Sequence, residues 1–247
     1  MSFIVKKKIN GSEYYYLRES VREKGKVKAK TIAYLGKDKK EAERKMEEIV
    51  NNKVNKASLE NNKMEDKSVK ITYFVHGTTA DNDTGVSSGQ NQGELTELGI
   101  KQSKGLPKQI KEKDFDVVFC SDLKRAIDSA ELSFKGKYKI IQDKRLRECN
   151  YGKFNTYPSK IVEPMQEKCI RKKFPKGESY EDVKKRISSF LKFLKKDYQG
   201  KHIAIVAHKA PQLALDVLLK GKTWKQAFAE DWRKRKAWQP GWEYTLR

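Results

Sequence analysis

No apolar run in this 247-residue chain approaches the roughly 18 residues that a membrane-spanning helix needs, so nothing in it reads as a transmembrane segment. The N-terminus also lacks the apolar stretch of a secretory signal, since Met1 Ser2 Phe3 Ile4 Val5 leads straight into Lys6 Lys7 Lys8. A cytoplasmic protein without membrane contact is expected. Cysteine is scarce: three residues with no Cys-x-x-Cys pair fit a reducing compartment rather than a disulfide framework. Histidine is equally scarce, and three scattered histidines beside those cysteines offer no zinc spacing. No metal or other cofactor is expected.

Positive charge is abundant. The formal net charge is +22, carried by both ends of the chain: residues 1–68 hold 18 basic and 11 acidic side chains, and residues 69–247 hold 37 and 22. Such a field attracts phosphorylated metabolites, nucleic acid or acidic surfaces alike, and raises encounter rates without naming a partner. Hydrophobic content of 37% is enough to build a core in a domain of ordinary size with a small appendage.

The appendage comes first. Asn10 Gly11 is a two-residue hairpin signal between strands over 3–9 and 14–21, and Lys24 Gly25 Lys26 turns the chain into a third strand over 27–35. A helix over 39–51 follows, with Ala42, Met46, Ile49 and Val50 on the face expected to pack on the sheet and Glu41 four residues before Lys45. From Asn52 the chain is rich in Asn, Lys and Glu with almost no apolar periodicity. The division is therefore a basic module over 1–53, a linker over 54–68 and a main domain over 69–247. The segments Tyr15 Tyr16 Leu17 Arg18 Glu19 Ser20 and Thr31 Ile32 Ala33 Tyr34 Leu35 Gly36 resemble short basic modules that open some microbial transposase-like proteins. Tyr14, Tyr15 and Tyr16 among lysines suit stacking on single-stranded bases, but packing across strands is the expectation for aromatics in a sheet. Weak, sequence-independent nucleic-acid contact is the partner such a module implies.

The main domain alternates strands near 69–75, 116–120, 138–142 and 202–207 with helices near 96–111, 122–134, 179–196 and 211–219. This is the α/β layer pattern, which binds ligands at the carboxyl ends of its strands. Pro107 is expected to kink or end the first helix. Two of the three histidines terminate apolar runs. His76 follows Ile71 Thr72 Tyr73 Phe74 Val75 and enters a turn with Gly77, and His208 follows Ile203 Ala204 Ile205 Val206 Ala207. Both are expected at strand ends facing one cleft, an arrangement suited to phosphoryl chemistry. His202 reads as structural.

Local motifs surround these histidines. Val75 His76 Gly77 Thr78 Thr79 is followed by Asn82, and Leu95 Thr96 Glu97 Leu98 Gly99 Ile100 Lys101 Gln102 opens a helix. Ser121 Asp122 Leu123 Lys124 Arg125 Ala126 and Leu146 Arg147 Glu148 come next, and His208 closes the series. Five motifs in this order, over residues 69–222, resemble the histidine phosphatase (phosphoglycerate mutase-like) superfamily.

The resemblance implies a three-layer α/β/α domain and a phosphohistidine mechanism. His76 would attack phosphorus, splitting one displacement into two. Arg125 and His208 would bind the non-bridging oxygens, and Glu148 would protonate the leaving oxygen and then activate water. Asn82 would hydrogen-bond phosphate or orient the turn. Two departures stand out: Val75 and Val86 occupy positions where the family carries arginines, so half of the guanidinium clamp is missing. Losing a preorganised donor of that kind costs on the order of 10²- to 10³-fold in rate. Lys209, where the family usually has glycine, offers a replacement charge.

The reading is a phosphomonoesterase acting on a small phosphorylated compound, with specificity set by loops over 154–173. The alternatives are a phosphoglycerate mutase-type phosphotransferase and a catalytically weak phosphate- or nucleic-acid-binding protein. The tail over 224–242 carries all four tryptophans. It covers the site, forms a protein interface or closes the core, and the strand-like Tyr244 Thr245 Leu246 after Pro240 Gly241 favours closure.

Overall fold

Asn10 and Gly11 adopt φ angles of 47° and 78°, the left-handed pair that a two-residue hairpin turn requires. They join strand β1 (Ser2–Ile9) to β2 (Ser12–Glu23) in antiparallel register, with Ile4 opposite Leu17 and Ile9 opposite Ser12. The computed structural model describes residues 2–23, 26–65, 67–110, 114–235 and 241–247. The expected turn at Lys24 and Gly25 lies outside them, but β3 (Lys26–Gly36) pairs antiparallel with β2 to complete a three-stranded sheet. Tyr15, Leu17 and Leu35 are buried on one face against Ala42, with Met46 and Ile49 packed alongside. The intervening Tyr14 and Tyr16 point to the other face and pair with Tyr34, at ring-centroid distances of 6.4 and 5.3 Å. These tyrosines do pack across strands.

Helix α1 corrects the sequence reading. It runs from Lys39 to Glu65, through most of the stretch expected to be a linker. The reason is local: residues 39–65 contain no glycine or proline to stop a helix. Pairs such as Glu41–Lys45 and Arg44–Glu48 support it at i,i+4 spacing. Missing apolar periodicity does not exclude a helix here. The chain folds as two compact units, residues 1–66 and 67–247.

In the second unit, β4 (Val69–Val75) leads through a short helix α2 (Ala80–Asp83) and β5 (Val86–Ser87) to helix α3 (Glu97–Gln109). The chain continues through β6 (Val117–Cys120), α4 (Lys124–Phe134) and β7 (Ile140–Gln142). Next come β8 (Tyr157–Pro158), which pairs with β5, then α5 (Ser159–Val162) and α6 (Tyr180–Asp197). The last elements are β9 (His202–Ala207), α7 (Lys209–Leu219), α8 (Trp224–Ala229) and β10 (Trp242–Leu246). Helix α3 runs past Pro107 and ends two residues later; the expected end at residue 111 lies outside the described residues.

The main sheet has the order β10-β4-β9-β6-β7, parallel except for β10 on one edge. Alternation along each strand sends side chains into two separate cores. Ile71, Tyr73, Phe119, Ile203 and Ile205 pack with residues of α6, α7 and α8, while Phe74, Val118, Cys120 and Val206 pack with α3 and α4. The result is the expected three-layer α/β/α domain. Trp224, Trp242 and Tyr244 are buried, and β10 is the edge strand anticipated for the tail; Trp238, Gln239 and Pro240 lie outside the described residues. His202 is structural, with its ring 2.9 Å from the Thr72 hydroxyl and packed on Phe115.

The turn after β4 is clamped from two sides. A Cβ built on Gly99 would lie 2.1 Å from the Thr78 carbonyl oxygen, and one on Gly77 would lie 2.4 Å from the Gly99 carbonyl oxygen. Gly99→Ala is expected to push the turn away from α3 and to destabilise the domain by about 1–3 kcal/mol. At Gly105 on the same helix the nearest atom to an added Cβ is 3.9 Å away. Gly105→Ala is expected to be neutral or to stabilise by about 0.5–1 kcal/mol. Urea unfolding of the two variants checks the contrast; equal midpoints would remove the clamp from the account.

Candidate active site

Parallel pairing of β4 with β9 sets Val75 opposite Ala207, so His76 and His208 leave the sheet side by side. Their rings lie 5.1 Å apart between centroids. The Gly77 N–H donates to Ser129 Oγ on α4 at 3.0 Å, and the Thr78 N–H donates to Gln102 Oε1 on α3 at 2.9 Å. Thr96 caps α3 by accepting from the Gly99 N–H, and its own N–H donates to the Thr78 carbonyl. The Thr-x-x-Gly-x-x-Gln pattern is therefore a cradle for the histidine turn: cap, close approach and acceptor.

Within the cradle His76 Nδ1 lies 2.7 Å from the Gly77 carbonyl oxygen. A carbonyl only accepts, so Nδ1 carries the ring proton and Nε2 keeps its lone pair. Arg125 Nε donates to that lone pair at 3.2 Å. Burial and the Arg125 charge hold the His76 pKa down at about 3, so the ring is neutral across the physiological range. His208 is fully buried, and among the described residues neither ring nitrogen has a hydrogen-bond partner. Burial, with Arg125 and His76 beside it, pushes its pKa well below the usual histidine range. The Tyr73 hydroxyl donates to the His208 carbonyl at 2.6 Å and accepts from its N–H at 2.9 Å, which fixes the backbone there.

Arg125 is 2% exposed. Its Nη1 donates to the Asn91 and Gln92 carbonyls and its Nη2 to the Gly89 carbonyl, so the loop after β5 locks the guanidinium beside His76. Glu148 accepts at Oε1 from the Cys149 N–H at 2.7 Å and from the Ala210 N–H at 3.1 Å, in the first turn of α7. Among the described residues no basic side chain pairs with it. Arg147 is engaged by Asp122 and Arg145 by Asp143, so Glu148 is not the solvated loop carboxylate that such neighbours would suggest.

One cavity of about 380 Å³ is lined by His76, Asn82, Arg125, Glu148 and Lys209, with His208 packed behind His76. Five of the six residues singled out in the sequence line this cavity, and the sixth, His208, is buried beside His76. Two of them are tied up in ways the sequence did not reveal. The Asn82 side-chain oxygen accepts from the Thr79 N–H at 3.1 Å while Thr79 Oγ1 accepts from the Asn82 N–H, a capping box on α2 that orients the turn. Lys209 is buried, with Nζ 3.4 Å from Asp231 and 3.9 Å from Glu163, and burial lowers its pKa to about 8. Val75 and Val86 also line the cavity. So do Tyr151, Trp232 and Arg233, which motif reasoning missed. The signal for the last two was the Trp232 Arg233 pair in the tail, whose position depends on how the tail folds back. Cys120 and Cys149 are packing residues: burial raises the Cys120 thiol to about 12 and Cys149 well above its ordinary value.

The profile of the histidine phosphatase superfamily (branch 1) matches residues 73–240, and that of the N-terminal domain of IS1634 family transposases matches residues 4–66. The chain is 26% identical to phosphoserine phosphatase 1 of Hydrogenobacter thermophilus over 165 residues, 62% of this chain and 77% of that protein. It is 33% identical to the fructose-2,6-bisphosphatase TIGAR of Xenopus tropicalis over 134 residues, about half of each chain. Among solved structures, the α-ribazole phosphatase of Shigella flexneri superposes with a TM-score of 0.58 at 23% identity, over 65% of this chain and 84% of that one. That superposition extends the likeness to the fold. By the profile match over more than half its length, this chain belongs to the histidine phosphatase superfamily, branch 1.

Proposed function

We propose that the chain is a phosphomonoesterase that hydrolyses a small phosphorylated compound through a phosphohistidine at His76. The observation that carries this reading is the His76 tautomer: an Nε2 lone pair, held by the Gly77 carbonyl on the far side of the ring, beside Arg125 in a cavity that Glu148 also lines. In the first step Nε2 forms a bond to phosphorus as the ester P–O bond breaks, and Glu148 in its acid form gives its proton to the departing oxygen. In the second, water attacks phosphorus, the N–P bond breaks, and the Glu148 carboxylate takes the proton from water. Arg125 and His208 hold the non-bridging oxygens, whose charge is greatest in the transition state. Relatives named as phosphatases of phosphoserine and fructose 2,6-bisphosphate support a hydrolase of phosphate monoesters over a mutase.

Rapid quench of the enzyme with a ³²P-labelled phosphomonoester is expected to leave acid-labile, base-stable label on the wild type and none on His76→Ala. Equal labelling of both proteins would overturn the assignment. Turnover should also carry a defined pH signature. With its pKa near 3, His76 stays deprotonated at Nε2 and contributes no acid limb above about pH 4. Lys209 is cationic below about pH 8 and neutral above it. Since a cation attracts the anionic substrate, kcat/KM is expected to fall above pH 8 in the wild type. In Lys209→Met that limb should disappear; its persistence there would assign it to another group.

The module over residues 1–66 supports a second, separate reading: weak and sequence-independent contact with nucleic acid through the Tyr14, Tyr16 and Tyr34 face. Lys7 Nζ lies 5.4 Å from the Tyr16 ring and Lys37 Nζ 5.1 Å from the Tyr14 ring, and Tyr34 is 53% exposed, a combination suited to stacked bases and backbone phosphates. Fluorescence anisotropy of the full chain with a labelled oligothymidylate is expected to show binding that weakens steeply with salt. A Tyr16→Ser, Tyr34→Ser variant should weaken it several-fold at low salt, and unchanged affinity would discard this face.

A further inference from the structure

Arg125 cannot clamp a phosphoryl group alone. Its donors already serve His76 Nε2 and the carbonyls of Gly89, Asn91 and Gln92, which leaves one N–H of Nη2 free. At the two positions where the resemblance places arginines, Val75 and Val86 present apolar walls. A transferring phosphoryl group spreads charge over three equatorial oxygens and needs more donors than this.

The tail brings a second guanidinium. After α8 the chain forms a 3₁₀ turn, Trp232–Arg235, that puts Trp232 and Arg233 into the wall of the His76 cavity beside Lys209. The Arg233 Nε and Nη2 donate to Asp231 at 2.9–3.3 Å, and Nη2 also reaches Glu163 at 2.8 Å. Its Nη1, with two N–H groups, makes no hydrogen bond among the described residues. The counter-ions sit on the other side. Asp231 and Glu163 line an adjoining groove of about 650 Å³, shared with Lys209 and Arg233, and neither carboxylate lines the His76 cavity. The carboxylates thus engage Nε and Nη2 and leave Nη1 to the cavity. The Trp232 indole N–H, from the same turn, is buried without a partner. The positive charge of Arg233 also acts on the His76 ring, adding to the effect of Arg125.

We propose that Arg233 is the second phosphate-binding guanidinium of this site, supplied by the C-terminal tail in place of arginines at positions 75 and 86, with Asp231 and Glu163 as its positioning residues. The proposal rests on the phosphomonoesterase reading. A planar guanidinium held at Nε and Nη2 is preorganised to offer the two N–H groups of Nη1 to phosphate oxygens, in a fixed direction that a lysine at the same place does not reproduce.

The test uses the full-length chain, with p-nitrophenyl phosphate as substrate and inorganic phosphate as competitive inhibitor. Arg233→Gln is expected to lower kcat/KM at least tenfold and to weaken inhibition by phosphate at least fivefold, with the urea midpoint showing that the variant is folded. Adding Val75→Arg to Arg233→Gln should recover part of both, because it returns a guanidinium to the same cavity. Wild-type kcat/KM and phosphate inhibition in folded Arg233→Gln would overturn the proposal and leave Arg233 a structural partner of Asp231. Where Arg233→Gln is too unstable to measure, Arg233→Lys keeps a charge opposite Asp231 and removes the fork; weakened phosphate inhibition is expected, and a wild-type constant overturns the proposal. Absence of turnover and of phosphohistidine in the wild type would defeat the phosphatase reading instead. In that event, phosphate binding by calorimetry to wild type and Arg233→Gln still judges Arg233.

Discussion

The carbonyl oxygen of Thr78 occupies the space that a side chain on Gly99 would need, and the geometry of the site depends on that closeness. Because α3 begins against the turn after β4, Gln102 reaches the Thr78 N–H and Thr96 binds the Thr78 carbonyl. Ser129 holds the Gly77 N–H from α4. The backbone around His76 has its polar groups satisfied by side chains of two helices, so the ring is placed by rigid elements rather than by a free loop. A shift of α3 by even a fraction of an ångström would move the His76 turn.

Burial then sets the electrostatics. The same desolvation that keeps His76 and His208 neutral lowers Lys209 to about 8. Neutral histidines are the form in which one ring nitrogen holds a lone pair, so the low pKa values and the lone pair on His76 are two consequences of one environment. Arg125 is held at the centre by carbonyl oxygens that cannot neutralise it, and it keeps its charge for an anion. Lys209 and Arg233 are handled differently, each against a carboxylate that lies on the groove side. Arg125, Lys209 and Arg233 all line the cavity, while Asp231 and Glu163 line only the adjoining groove.

Much of the fold is legible because strands and helices are written in local periodicity. β4 and β9 begin and end where the apolar runs do, and the Asn10 Gly11 turn follows from backbone sterics alone. Helix α1 is hidden beyond Asn51 for a physical reason. Amphipathic periodicity reports a face that packs, and this stretch has almost none, so only the absence of glycine and proline speaks for a helix there. Motif order leads to the six site residues, but not to the capping role of the Asn82 oxygen or to the ion pairs of Lys209.

The sequence by itself determined that two histidines would end parallel strands, that a glycine-bearing turn would follow the first, and that an arginine and a glutamate would stand between them in chain order. Each of these depends on residues within one or two turns of the chain. Which cations would surround the phosphate position was decided only in the tertiary structure. Val75 and Val86 lie within ten residues of His76 in sequence and supply no charge, whereas Arg233 is more than 150 residues from His76 and lines the same cavity. Its placement depends on β10 pairing with the edge of β4 and on Trp242 packing against Trp232 and Tyr73. Those are contacts between distant segments, set by the packing of whole layers, and no local pattern encodes them.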